Sequence, residues 1–258
     1  MNPDDAKQRR RIVVTLDSGD IDTAELDRLI HLARRLDAEL EGVFVEDSDL
    51  LRLSELAFVH EFRPISQRSE RFESARMQQE LRVVARRAQR TLAAYTEHRG
   101  VRWSFRIWRG SMEREMLGAL QADVLALPRL GVVFMPSAPR RQRETITACF
   151  DGSESSSGVL KTAADLAADS LGATLRVLLF GALEQQAGLR REAEEILSQY
   201  HGAVVYSGLK EAGLAALLRA LQESGSSVLV MQRDNRLLRN TSLRDYLGQL
   251  NCPLILVR

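Results

Sequence analysis

The chain has 258 residues, of which 45% are apolar, 28% charged and 5% aromatic. This is apolar enough to bury a core and too apolar for a disordered polymer. Thirty-six basic against 35 acidic residues leave a formal charge of +1, which removes any global electrostatic argument for a nucleic-acid or polyanion partner. Two cysteines, Cys149 and Cys252, make neither a disulfide framework nor a zinc spacing. The first residues lack a signal-peptide apolar region, and no uncharged apolar run approaches the roughly 18 residues of a membrane helix. The expectation is a reduced, cytoplasmic, globular protein with no membrane partner.

The run Ile12-Val13-Val14-Thr15-Leu16 ends in Asp17-Ser18-Gly19 and reads as a buried strand stopped by turn residues. A helix follows, with Asp22 placed to cap it, Glu25 at a capping-box position, and Leu26, Leu29, Ile30, Ala33 and Leu36 at helical spacing. A second strand is predicted over 40–45. A long polar segment, 47–64, contains Leu50, Leu51, Leu53, Leu56, Phe58 and Val59, too apolar for a free loop. A short helix over 49–60, lying across the strand ends, is expected there. An extended helix is predicted over 67–98, with Leu81, Val84, Ala88, Leu92 and Tyr95 on one face. Next comes a strand on which Trp103, Phe105 and Ile107 form a core face and Arg102 and Arg106 the other. Val124-Leu125-Ala126-Leu127 then passes through four residues into Val132-Val133-Phe134-Met135. A parallel crossover needs about a dozen residues, so this pair is predicted to be an antiparallel hairpin.

The order then repeats. Ile146-Thr147-Ala148-Cys149-Phe150 runs into Asp151-Gly152-Ser153, then into Leu160, Ala163, Ala164, Ala167 and Leu171, then into a strand over 175–180. Leu36-Asp37-Ala38-Glu39-Leu40 matches Leu171-Gly172-Ala173-Thr174-Leu175 with one residue inserted earlier, and the segment 123–129 lines up with 227–233. The second copy has a shorter helix near 184–200 and room for another near 242–249 before a last strand over 254–257. Strands alternating with helices predict mostly parallel sheets covered on both faces. Two tandem α/β units are expected, 10–136 and 144–258. The first carries the long insert and the hairpin, and the join lies where Pro139 and three arginines interrupt the apolar pattern.

The segments Phe150-Asp151-Gly152-Ser153, Leu171-Gly172-Ala173-Thr174-Leu175, Val228-Leu229-Val230-Met231 and Cys252-Pro253-Leu254-Ile255-Leu256-Val257-Arg258 resemble the universal stress protein family. The first half carries the same opening more weakly, including the stretch from Ala38 to Asp47. The resemblance implies two flavodoxin-like domains, each a mostly parallel five-stranded sheet flanked by helices. It also implies pairing through the last strand, which a tandem chain can make internally as a pseudo-dimer; further pairing into a homodimer stays open. Many relatives bind ATP through an aspartate after the first strand and a Gly-x2-Gly-x9-Gly-Ser/Thr loop after the fourth. Others lack the loop and do not.

A glycine-rich loop holds phosphate because residues without Cβ let backbone N–H groups converge beside a helix N-terminus. After Met231 the chain reads Gln232-Arg233-Asp234-Asn235-Arg236-Leu237-Leu238-Arg239-Asn240-Thr241-Ser242, with no glycine and less length than the family loop. In the first half both loop and helix are absent. Asp17 and Asp151 stand at the family aspartate positions but, without the loop, are read as turn formers and helix caps. The expectation is therefore a non-enzymatic, stress-related binding or regulatory module without a cofactor, acting on an unidentified protein partner or small ligand. The alternative is an ATP-binding regulator in which Arg233 and Arg236, with Arg239 and Arg244 around Ser242, replace the missing N–H groups as anion ligands.

Other constellations weigh less. The segment 66–109 holds eleven arginines against four glutamates, a basic stretch that suits nucleic acid only if the arginines are free. Arginines on an edge strand, discouraging aggregation, are the favoured reading. No phosphate-binding P-loop, serine-hydrolase elbow or zinc-helix motif occurs, and His31, His60, His98 and His201 are scattered singly. Ser153, Ser155, Ser156 and Ser157 are placed to cap a helix. Cys149 and Cys252 read as small apolar residues.

Overall fold

The computed structural model describes residues 10–16, 23–46, 60–63, 68–71, 74–110, 118–127, 144–170, 172–209, 213–239 and 242–258. The runs rich in β-branched residues become strands, and the runs with helical periodicity become helices. The first half contributes β1 (Arg11–Leu16), α1 (Thr23–Arg35), β2 (Glu39–Glu46), β3 (His60–Arg63), β4 (Arg68–Arg71), α2 (Ser74–Glu97), β5 (Trp103–Arg109) and β6 (Val124–Leu127). The second contributes β7 (Thr145–Phe150), α3 (Glu154–Ala168), β8 (Thr174–Phe180), α4 (Leu183–Ile196), β9 (Ala203–Leu209), α5 (Leu214–Ser224), β10 (Val228–Gln232), α6 (Arg236–Arg239), α7 (Leu243–Gln249) and β11 (Leu254–Val257).

The two halves share one nine-stranded sheet, in the order β5-β2-β1-β6-β11-β10-β7-β8-β9. All neighbours within each half are parallel, as crossover helices require. The seam is antiparallel: β11 lies against β6, with Ile255 opposite Ala126 and Leu256 opposite Leu125. The repeat is thus a repeat of units within a continuous sheet. The last strand of the second half pairs with β6 of the first half, whereas the expected pseudo-dimer pairing involves the last strand of each half, and that of the first half lies outside the described residues.

The predicted hairpin joins β6 to the segment 132–135, while β6 is paired on one side by β1 and on the other by β11. The segment itself lies outside the described residues, as do the proposed helix over 49–60 (all but His60) and most of the join between the halves. His60–Arg63 and Arg68–Arg71 pair as a separate antiparallel ribbon, which the sequence reading did not foresee; the long helix accordingly begins at Ser74 and not at 67.

Alternation along the strands sends side chains to two cores. One face buries Ile12, Phe44, Ile146, Phe150 and Val177 beneath α1, α2, α3 and α4; the other buries Val13, Leu125, Cys149, Met231 and Leu256 beneath α5 and α7. The first helices of the two halves, α1 and α3, pack together across the seam. Arg35 ties them through Asp165 at 2.8 Å and Asp169 at 3.7 Å, and Arg28 pairs with Glu144. β5 is an edge strand, as the arginine pattern suggested. Trp103 and Phe105 pack on the core, but Ile107 is 43% exposed, so the predicted core face stops at Phe105.

Candidate functional site

Open α/β sheets bind ligands beyond the carboxyl ends of their strands, and in the second half that rim is built from β7, β10 and the turns that follow them. β7 ends at Phe150, and Asp151 begins the turn into α3. Ser153 caps α3, its Oγ accepting from the Ser156 N–H at 3.2 Å. Asp151 Oδ1 accepts from the Ser153 N–H at 3.0 Å and from Ser153 Oγ at 2.6 Å. Its other oxygen, Oδ2, accepts from Gln232 Nε2 at 2.8 Å. Burial of the carboxylate opposes ionisation, but the Ser153 and Ser156 hydrogen bonds outweigh it and hold Asp151 below the ordinary aspartate value.

The chain of contacts continues away from Asp151. Asn235 Nδ2 donates to Gln232 Oε1 at 3.2 Å, and Asn235 Oδ1 accepts from the Leu237 N–H at 3.0 Å. Gln232 and Asn235 are both buried. The segment after β10 is therefore wound into the one-turn helix α6, with its polar groups turned inward to fasten the β10 turn to the β7 turn. Leu189 of α4 adds an apolar wedge: Cβ atoms placed on Gly152 and Gly181 would each come 2.8 Å from one of its methyl groups.

The five candidate residues are not brought to one point. Asp17 lies outside the described residues. Asp151 takes part in the network above. Arg233 turns toward the first half, its Nη2 donating to the Ala122 carbonyl at 2.6 Å while its N–H donates to the Val257 carbonyl at 2.8 Å. Burial, reinforced by the neighbouring Arg258, pulls its pKa below the usual arginine value. Arg233 is thus a tie across the seam between β6 and β11. Arg236 is exposed on α6. Ser242 caps α7, accepting from the Asp245 N–H at 3.3 Å.

Sequence reasoning missed Gln232, Asn235 and Leu189. Gln232 carried a legible signal, because a polar residue ending an otherwise apolar strand next to the Asp151 strand is within reach of that carboxylate. Leu189 carried none, since its contacts with Gly152 and Gly181 depend on how α4 settles on the sheet.

The basic stretch also resolves. On β5, Arg106 pairs with Glu41 at 2.9 Å and Arg109 with Glu46 at 3.1 Å, both carboxylates standing on the adjacent β2. Arg102 reaches Asp37 at 3.1 Å and Arg99 reaches Asp27 at 2.9 Å. At least four of these charges are thereby matched among the described residues. Cys149 and Cys252 are buried, and burial, with the nearby Asp151 charge, pushes the Cys149 thiol up. His31, His98 and His201 are exposed. No helix among the described residues is long and apolar enough to cross a membrane, and no three metal-ligating side chains cluster among them.

Solved structures share this architecture over nearly the whole chain. A universal stress protein from Archaeoglobus fulgidus DSM 4304 superposes with a TM-score of 0.52 at 12% identity, covering 95% of this chain and 96% of that one. A functionally unknown protein from Pseudomonas aeruginosa PAO1 gives 0.51 at 14% identity, covering 96% and 92%. No family model and no curated protein matches the sequence. At such identities the likeness is one of fold: the chain has the α/β architecture seen in universal stress proteins, mostly parallel and flanked by helices.

Proposed function

We propose that the chain is a universal stress protein-like binding or regulatory module that has lost the nucleotide site of its second half, performs no reaction of its own, and works through a protein partner or a small ligand. The observation that carries this reading is the state of Asp151. Both of its carboxylate oxygens are engaged inside the protein, one by Ser153 and one by Gln232. A ribose or adenine would have to displace these charge-assisted bonds, each stronger than a neutral pair. The segment that would carry a phosphate cradle contains no glycine between Gln232 and Ser242 and includes the buried residues Asn235 and Leu238. The alternative, an arginine-based ATP site, loses Arg233 to the Ala122 carbonyl.

Calorimetric titration with ATP tests the reading. The expected result is no saturable heat up to millimolar nucleotide, in wild type and in Arg236→Ala alike. Saturable ATP binding that Arg236→Ala or Ser242→Ala weakens would establish the arginine-based site instead. Saturable binding that neither variant alters would place the nucleotide elsewhere and equally end the proposal.

A further inference from the structure

The halves differ sharply at the opposite rim, where the helix pairs end near the amino ends of the strands. Strand register fixes which residues correspond. Ile12 lies beside Leu40 and Leu40 beside Trp103; Ile146 lies beside Leu175 and Leu175 beside Val204. The buried positions of α1 and α3 agree, with Leu26, Leu29 and Ala33 matching Leu160, Ala163 and Ala167. On this correspondence Asp27 becomes Lys161, Ile30 becomes Ala164, Arg99 becomes Tyr200 and Arg102 becomes Ala203.

In the first half the junction is bridged by its own side chains. Arg99 reaches from the end of α2 to Asp27 on α1 at 2.9 Å, with its guanidinium 5.3 Å from the Tyr95 ring centre. In the second half a cavity of about 870 Å³ opens between the ends of α3 and α4, and alanines at 164 and 203 stand in its wall where the first half has Ile30 and Arg102. That volume lies within the roughly 300–1,000 Å³ typical of small-molecule sites. Arg35 also lines the cavity, but Asp165 and Asp169 match its charge. Lys161 and Tyr200 also line the cavity, Lys161 exposed to solvent and Tyr200 half-buried, and no side-chain partner is found for either among the described residues. The cation-and-carboxylate pair of the first half is replaced by an ammonium, which can only donate, and a phenol, which is free to donate. The missing component is an acceptor carrying negative charge.

We propose that this cavity is a binding site for a small organic anion, a carboxylate or a phosphate monoester, whose charged group sits between Lys161 and Tyr200 and whose apolar body lies along the alanine wall. This is separate from the question of ATP at the carboxyl rim.

The probe is anilinonaphthalene sulfonate titrated into the full chain, with octanoate, octyl phosphate and octylammonium as competitors. The expected result is a saturable fluorescence rise displaced by octanoate or octyl phosphate and not by octylammonium; the stronger competitor identifies the natural headgroup. Lys161→Ala should weaken the displaceable binding about tenfold, the size of one charge-assisted hydrogen bond. The double variant Lys161→Asp, Tyr200→Arg rebuilds the first-half pair and should abolish displaceable binding while circular dichroism and the melting transition persist. Should that variant fail to fold, Ala164→Ile, which puts the first-half side chain into the wall, replaces it. The proposal is overturned by the absence of displaceable probe, by equal displacement with octylammonium, or by wild-type binding in a folded closing variant.

Discussion

The two halves of the sheet follow one plan with different side chains. On β2 a glycine, Gly42, sits beneath α2 so closely that a Cβ there would lie 2.6 Å from Leu92 Cδ2. By register the matching strand position in the second half is Val177, and the matching helix position is Ala193; Leu92, Val177 and Ala193 are all fully buried. Small on the strand with large on the helix has become large on the strand with small on the helix. The lesson is that total volume at a helix–sheet contact is what the fold constrains, since interiors pack to near-crystalline density whichever partner supplies the atoms. The junction beyond shows the contrary case, where alanines at the positions matching Ile30 and Arg102 stand in the wall of a cavity.

The strongest way to break that comparison is to convert one contact into the other. Leu92→Ala alone should cost about 2–5 kcal/mol, and Gly42→Val alone about 1–3 kcal/mol through overpacking. The double variant should be more stable than Leu92→Ala, because it rebuilds the pair used in the second half. Denaturant unfolding of the four proteins as a double-mutant cycle measures this coupling; additive losses would mean that the two contacts are not equivalent.

A smaller effect tests the Leu189 wedge of the second half. Gly152 has φ +79° and faces Leu189, so Gly152→Ala should cost about 1–2 kcal/mol. Leu189→Ala in the same chain should relieve the collision but not the backbone strain, and thermal melts of the three variants separate the two.

The Asp151 network gives a pH-dependent difference. Its folded pKa is lowered, so the stability it contributes is present above the unfolded value of about 3.9 and is lost as the pH falls through the folded value. Asp151→Asn should therefore cost about 1 kcal/mol near neutrality, given the partial exposure of the carboxylate. That deficit should shrink as the solution is acidified below about pH 4. A deficit constant with pH would show that the charge is not what matters.

The smallest effect belongs to the pair that bridges the first-half junction. The Asp27 and Arg99 side chains are 41% and 34% exposed, so Asp27→Ala should cost no more than about 1 kcal/mol, less in high salt. Lys161→Ala, at the matching position, should leave stability unchanged within error. The contrast sharpens the comparison, because the same position then bears on stability in one half and on ligand binding in the other.

Much of this architecture could be read beforehand from residues whose signal is local. The β-branched runs ending in aspartate and serine marked β1 and β7, the spacing of Leu160, Ala163 and Ala167 marked α3, and Ser242 marked the start of α7. The ribbon of β3 and β4 escaped because four-residue strands rich in charge carry no apolar alternation to detect. The hairpin was inferred from a connection too short for a crossover. That length argument excluded one arrangement without revealing that β11, more than a hundred residues away, already held the edge of β6. Of the candidate site, Asp151 and the two capping serines were legible from their positions at strand and helix ends. The roles of Gln232, Arg233 and Leu189 were not, because each is set by contacts from separate strands or helices.

What the sequence determined by itself is the duplicated order of strands and helices and the lack of glycine after β10, since apolar periodicity and residue type are properties of neighbours along the chain. What only the tertiary structure decided is the antiparallel seam that fuses two sheets into one, the engagement of both Asp151 oxygens, and the contrast between a bridged junction and an open one. Each of those depends on side chains from distant segments meeting at distances of a few ångströms, and no linear pattern records which atoms will be left without a partner.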